Sequence, residues 1–354
     1  MFCIWALAII VVLCYFCEKS KDSMKILFLI GNGFDKNLGL PTSYLEFYDY
    51  YLNKRRDNLD ENIIRLHNEI KSNKVNWSDL ELALGKYLAN VYDVNVANLL
   101  HKSLKFSLLE YLSNITKGIS FNIGEKNKFI EDLISPEKYL LNADENAIKE
   151  YKSLSQYNSL SIITFNYDYL LESIFQFEDL PLKMDKYNTL NKLVHIHGTL
   201  EDGMILGVDN EEQIGNVSLL TDSMIRNKYL KPSYCKICRD NRDIICRDLI
   251  LEADLFFLYG LSLGDTDKHW WQLIVNRLMN SNKKLVLFWF DNDLCFSSQE
   301  VAERYEEEQR IKRLFLRHSF LDEELIQDIS DNIIVKFVSE VDNEFLKVKL
   351  EQSK

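Results

Sequence analysis

Five consecutive apolar residues, Ile26 to Ile30, run directly into Gly31-Asn32-Gly33-Phe34-Asp35. An unbroken apolar run of that length fits a strand buried on both faces of a parallel sheet. The two glycines at its end let the backbone take positive φ and approach another segment or a ligand closely. A strand, a Gly-x-Gly turn and a helix start together form an anion-binding corner, the usual seat of a nucleotide phosphate. The same glycines also serve a bare tight turn, so the rest of the chain decides between the two.

The length of 354 residues allows one large or two ordinary domains with a sizeable core. A net charge of −12 argues against a general affinity for nucleic acid, so no nucleic-acid partner is expected. Only 4 prolines and 12 glycines interrupt the chain, which predicts much helix and few irregular linkers. Residues 1–17 are uncharged and almost wholly apolar, and the leader as a whole spans residues 1–23. It reads either as a membrane anchor or as an upstream start, with Met24 as the true start. It lacks a basic n-region and a small-residue cleavage site, and it is at the short limit for a spanning helix. Lys19, Lys21 and Lys25 would keep the body on the cytoplasmic side if it inserts, so both readings predict a cytoplasmic body. A membrane partner follows only from the first. Of the 7 cysteines, Cys235, Cys238 and Cys246 lack a fourth ligand at zinc-finger spacing, so reduced thiols and no metal are expected.

Residues 57–157 show no strand pattern. Apolar positions recur at helical spacing, at Ile63, Leu66 and Ile70, at Leu80, Leu84 and Leu88, and again through residues 96–112. Trp77-Ser78-Asp79-Leu80-Glu81 within it reads as a capping box, Ser78 as N-cap with Glu81 three residues on, beside a packing tryptophan. Strand patterns return at residues 160–165, 193–197, 204–206, 254–259, 284–290 and 332–338, with helical stretches at 268–279 and 297–316. The expected fold is α/β: a mostly parallel Rossmann-like sheet flanked by helices, with a large inserted helical block at about 57–157.

Ligands in such sheets bind outside the carboxyl ends of the strands. Four predicted strand ends carry polar clusters: Gly31-Asn32-Gly33-Phe34-Asp35, Thr164-Phe165-Asn166-Tyr167-Asp168, His195-Ile196-His197-Gly198-Thr199, and Tyr259-Gly260-Leu261-Ser262-Leu263-Gly264-Asp265-Thr266-Asp267. Each alone has a bland reading as a helix cap or a turn histidine. Together at one sheet edge they predict a single polar cleft.

These clusters, in this order, resemble those of sirtuin-like NAD-binding domains over Lys25 to about Asn280. G-N-G-F-D with G-L-P-T-S-Y, then W-S-D-L-E, T-F-N-Y-D, H-I-H-G and G-L-S-L-G-D resemble the bacteriophage abortive-infection AbiH family more closely. The resemblance implies a sirtuin-like α/β domain over residues 24–354, in a bacterial anti-phage protein that binds a nucleotide, NAD. The implied activity is hydrolysis of NAD to nicotinamide and ADP-ribose. A phage-derived trigger and a homo-oligomer are the implied partners. The paired Cys-x-x-Cys module of sirtuin deacetylases is absent, which argues against deacetylation. Lys36 stands where the third Rossmann glycine would be, which argues against an ordinary dehydrogenase.

Cleavage of the nicotinamide–ribose bond passes through an oxocarbenium-like state and needs a held pyrophosphate, an oriented ribose and a placed water. Backbone N–H groups at Gly31, Asn32, Gly33 and Phe34 would hold phosphate. Asn166 offers a donor and an acceptor to a ribose hydroxyl and the water. His197 is the expected general base. Either Asp35 or Asp168 would stabilise the developing cation, and the residues do not rank them. By resemblance, Thr164, Gly260, Ser262 and Asp265 complete the cofactor-binding set. The alternative is a non-catalytic nucleotide sensor or scaffold whose helical block signals to a partner. A nuclease is disfavoured by the acidic balance and by the lack of a D…E-x-K constellation.

Overall fold

The apolar run forms a strand, β1 (Met24–Ile30), at the middle of a seven-stranded sheet. In this computed structural model the described residues are 23–54, 60–238, 241–279, 282–294, 296, 299–318, 323–339 and 342–352. The apolar leader up to residue 22 lies outside them. In chain order the other strands are β2 (Ile119–Ser120), β3 (Asn158–Thr164), β4 (Leu182–Lys183), β5 (Asn188–His195), β6 (Leu255–Tyr259), β7 (Lys284–Phe290), β8 (Ile333–Val338) and β9 (Glu351–Gln352). The sheet order is β4-β5-β3-β1-β6-β7-β8, parallel throughout except for the edge strand β4, while β2 and β9 pair separately.

Side chains of a strand point alternately to its two faces. Ile26, Phe28 and Ile30 therefore enter one core with Phe129, Leu133 and Ile148, while Leu27 and Leu29 enter another with Ile250, Trp271 and Phe315. Burial on both faces is why the run contains no polar alternation. Phe28 stacks on Phe257 of β6 at 5.0 Å between centroids, a pairing worth about 0.5–1.5 kcal/mol beyond its burial.

The helices between β1 and β3 do two different things. Those from Tyr44–Lys54 to Val94–Thr116 build a core of their own with Leu206, Val208, Ile225 and Tyr229 from beyond β5. The later ones, Ile123–Ile134 and Asn142–Lys152, pack on the sheet itself through Phe129, Leu133 and Ile148.

Two sequence expectations are corrected. Residues 204–206 are buried but form no strand. Side chains satisfy that backbone instead of a ladder: Tyr167 donates to the Ile205 carbonyl at 2.8 Å, and His101 Nε2 meets the Leu206 carbonyl at 2.8 Å. The helix after Trp77 is Leu80–Tyr87 and its cap is Asp79, which accepts from Leu82 N at 3.0 Å. Ser78 does not cap it, and Glu81 turns away to a buried lysine described below. Among the described residues no disulfide joins Cys235, Cys238 and Cys246, no cluster of three or more metal-ligating side chains occurs, and no helix is long and apolar enough to cross a membrane.

Candidate active site

Register brings the polar clusters together. Ile30 pairs with Thr164 on one side and with Tyr259 on the other, and Thr164 pairs with His195. Asn166 and His197 therefore each lie two residues past a paired position on neighbouring strands. This is a switch point, because β1 is flanked by β3 and β6, reached by crossovers running in opposite directions. A cavity of about 290 Å³ opens there.

Its floor is the glycine corner. Gly31 N donates to Tyr259 O at 2.9 Å, Gly33 N to Gly260 O at 2.9 Å, and Phe34 N to Gly31 O at 3.0 Å. Three of the four N–H groups expected to hold phosphate thus already have protein acceptors. A Cβ on Gly33 would lie 2.4 Å from Gly260 Cα, so the glycines are required for two turns to interlock.

Asp35, 2% exposed, lies beneath this floor. Asn166 Nδ2 donates to its Oδ1 at 2.7 Å. Burial, with Asp168 beside it, raises the Asp35 carboxyl well above the ordinary range, and burial raises Asp168 as well. Of the two, Asp35 is raised by its neighbour's charge and favours the proton, while the Asp168 carboxylate caps the turn by accepting from Leu170 N at 3.0 Å. Asp35→Asn preserves both bonds, with the new amide donating to Asp168 and accepting from Asn166, so stability is expected to change by less than about 1 kcal/mol. Asp35→Ala leaves two buried groups unpaired at about 1–3 kcal/mol each. Urea midpoints of the two variants separate these outcomes.

Asn166 is fixed on three sides. Its N donates to Thr164 Oγ1 at 3.2 Å, its carbonyl accepts from His195 Nδ1 at 2.8 Å, and its amide holds Asp35. Its Oδ1 is buried and has no hydrogen-bond partner among the described residues. His195 also meets Glu172 through Nε2 at 2.7 Å. Burial opposes a charge on that ring, but Glu172 outweighs it and the pKa is raised.

His197, 5% exposed, stands against Phe165 edge-on, with centroids 5.4 Å apart. Its Nε2 is 2.9 Å from Asp267 Oδ1, but the pair is not aligned as a hydrogen bond. The same Asp267 oxygen accepts from Lys231 Nζ at 2.8 Å, and Lys231 also reaches Glu81 Oε2 at 2.8 Å and the Thr266 carbonyl at 2.9 Å. Burial opposes the charge on Asp267, yet Lys231 and His197 hold its carboxyl well below the usual range. Burial, outweighing Lys231, pushes Glu81 up to about 8. Burial and Lys231 together lower His197, so its imidazole is neutral at neutral pH.

Of the residues singled out in the sequence, Gly31, Asn32, Asp35, Asn166, Asp168, His197, Gly260 and Ser262 line the cavity. Gly33 lies behind it against Gly260. Phe34 and Thr164 are fully buried, Phe34 packing on Phe129. Asp265 is turned out to solvent near His318; Asp267, two residues on, takes the place in the cavity wall. The sequence reading held Asp79, Glu81 and Asp267 within its motifs but gave them no role in the site, and it missed the buried Lys231. Asp267 was signalled by its place in the fourth strand-end cluster, and Glu81 by W-S-D-L-E, which held more acid than a cap requires.

A polar, carboxyl-rich cleft at the carboxyl edge of a largely parallel sheet defines an α/β protein whose candidate site lies where such sheets bind ligands. Residues 27–289 match the family model described as Bacteriophage abortive infection AbiH, and the chain belongs to that family. Membership suggests a role in abortive infection by bacteriophage. No curated protein matches the chain.

Proposed function

We propose that this abortive-infection protein binds a nucleotide, NAD, in the cleft and hydrolyses it to nicotinamide and ADP-ribose. The observation that carries the reading is the unpartnered, buried Asn166 Oδ1 beside a neutral His197. An acceptor held this rigidly in a low-dielectric cleft suits a ribose hydroxyl or a water. In the proposed reaction the C1′–nitrogen bond breaks and its electron pair leaves with nicotinamide. Water adds to C1′, with Asn166 orienting it and His197 taking its proton. The ionised member of the Asp35–Asp168 pair faces the developing oxocarbenium charge. The ribose end fits the acceptor-rich lining, whereas the glycine corner retains little capacity for pyrophosphate.

The test is nicotinamide release from NAD by the purified chain. His197→Ala is expected to lower the rate by about 10²–10⁴, the usual worth of a general base, and Asn166→Ala to lower it comparably. Absence of turnover in the presence of phage lysate, or turnover indifferent to both variants, overturns the reading. A non-catalytic sensor is the second reading, supported by Asp79 and Glu81, which carry the helical layer directly into the cleft wall. It predicts saturable NAD binding without product.

A further inference from the structure

Resting on the nucleotide reading above, we infer that the phosphate-bearing end of the ligand sits in a second cavity across His197, not at the glycine corner. This second cavity, of about 490 Å³, shares His197 with the first. The two differ in charge. The first is lined by Asp35, Asp79, Glu81, Asp168 and Asp267, with the exposed Lys36 as its lysine. A diphosphate there would face carboxyl groups, and three of the four corner N–H groups that might offset them are spent within the protein. The helix that follows the corner, Gly33–Asn37, has only 5 residues.

The second cavity is lined by Lys236, Arg247 and His269, with Trp270 forming an aromatic wall; Lys231 also lines it, but its ammonium is committed to Glu81 and Asp267. Its carboxyls are Asp209, which accepts from His269 N at 3.2 Å, and Asp243. Arg247 lies 3.5 Å from Asp248, an exposed pairing that leaves the guanidinium able to meet a phosphate. On a chain of net charge −12, cations gathered on one wall mark a place for anions. A dinucleotide divides accordingly. The cationic nicotinamide riboside suits the small acidic cavity, ADP suits the larger one with a flat ring beside Trp270, and His197 stands at the junction.

Lys236 and Arg247 are exposed, so reversing them should not disturb the core. Isothermal titration of the full chain with ADP and with nicotinamide riboside, as separate probes, tests the placement. The double variant Lys236→Glu, Arg247→Glu is expected to weaken ADP at least ten-fold and to leave nicotinamide riboside unchanged. Lys36→Glu, at the glycine corner, is expected to leave ADP unchanged. ADP binding that is indifferent to the double reversal overturns the placement and leaves the nucleotide reading standing. If ADP, nicotinamide riboside and NAD all fail to bind the unmodified chain, both fall. Should the double variant melt early, the single changes Lys236→Gln and Arg247→Gln read the same effect with smaller amplitude, and ADP indifferent to both likewise overturns the placement.

Discussion

Lys231→Met is expected to lower the unfolding free energy by about 3–5 kcal/mol, the typical cost of removing one partner from a buried ion pair. The lysine is less than a tenth exposed and pairs with the ionised Asp267, and it also meets Glu81 and the Thr266 carbonyl. Methionine fills the space of the stem but leaves Asp267 beside His197 with no other cation. Urea unfolding would measure the loss. A second readout separates a change at His197 from mere destabilisation. Its imidazole, held below 6.5 by burial and Lys231 in the intact protein, should titrate higher in the variant than in the intact protein, because Lys231 is gone while Asp267 remains 2.9 Å away.

The pH dependence from His197 then weakens. With a depressed folded pKa, the contribution of His197 to stability is present above pH 6.5 and is lost as pH falls through the lowered value. In the variant the pKa is less depressed, so less of the stability is lost in acid, with the same sign. His101, which burial pushes down to about 4, loses stability in acid with the same sign as wild-type His197. It does not touch Lys231, so the difference between the two pH profiles isolates His197. Unchanged titration of His197 by NMR would show that Lys231 does not set its protonation.

Gly260→Ala is expected to destabilise by about 2–5 kcal/mol, combining left-handed backbone strain of about 1–2 with overpacking of about 1–3. Gly260 has φ of +68°, and a Cβ there would lie 2.7 Å from Phe34 N and 2.8 Å from Gly33 Cα. These are backbone atoms of the neighbouring turn and cannot swing away. Gly33→Ala meets the same wall from the other side, at 2.4 Å from Gly260 Cα. The two changes share one contact, so the double variant should cost less than the sum of the singles. Additive losses in urea unfolding would show that the turns do not act as one unit.

The interlocked turns also explain what was legible in the sequence. Glycines at 31, 33 and 260 announced a close approach, but sequence could not say of what. The approach is of one turn to the other, and it consumes the N–H groups that a phosphate would need. Asp35 was legible as an anomaly, a carboxyl beside an anion site. Its burial against Asp168 and Asn166 depends on strands more than a hundred residues apart. Residues 204–206 looked like a strand because they are apolar and flanked by glycines, yet the Tyr167 hydroxyl, the His101 ring and the His197 carbonyl complete their backbone bonds.

The sequence alone determined the β1 strand, buried on both faces, the strand-end identity of Asn166 and His197, and the family. Those follow from local pattern: apolar runs, turn residues and the order of short motifs. Tertiary structure alone decided which charges meet. Lys231 carries no sequence signal, being one of 42 lysines and arginines, and it became the centre of the cleft wall because a buried cation must find carboxylates. Asp267 and Glu81, from opposite ends of the chain's topology, are where the fold supplied them. The protonation of His197 is a property of that meeting, since a pKa answers to burial and neighbouring charge, neither of which a sequence pattern contains.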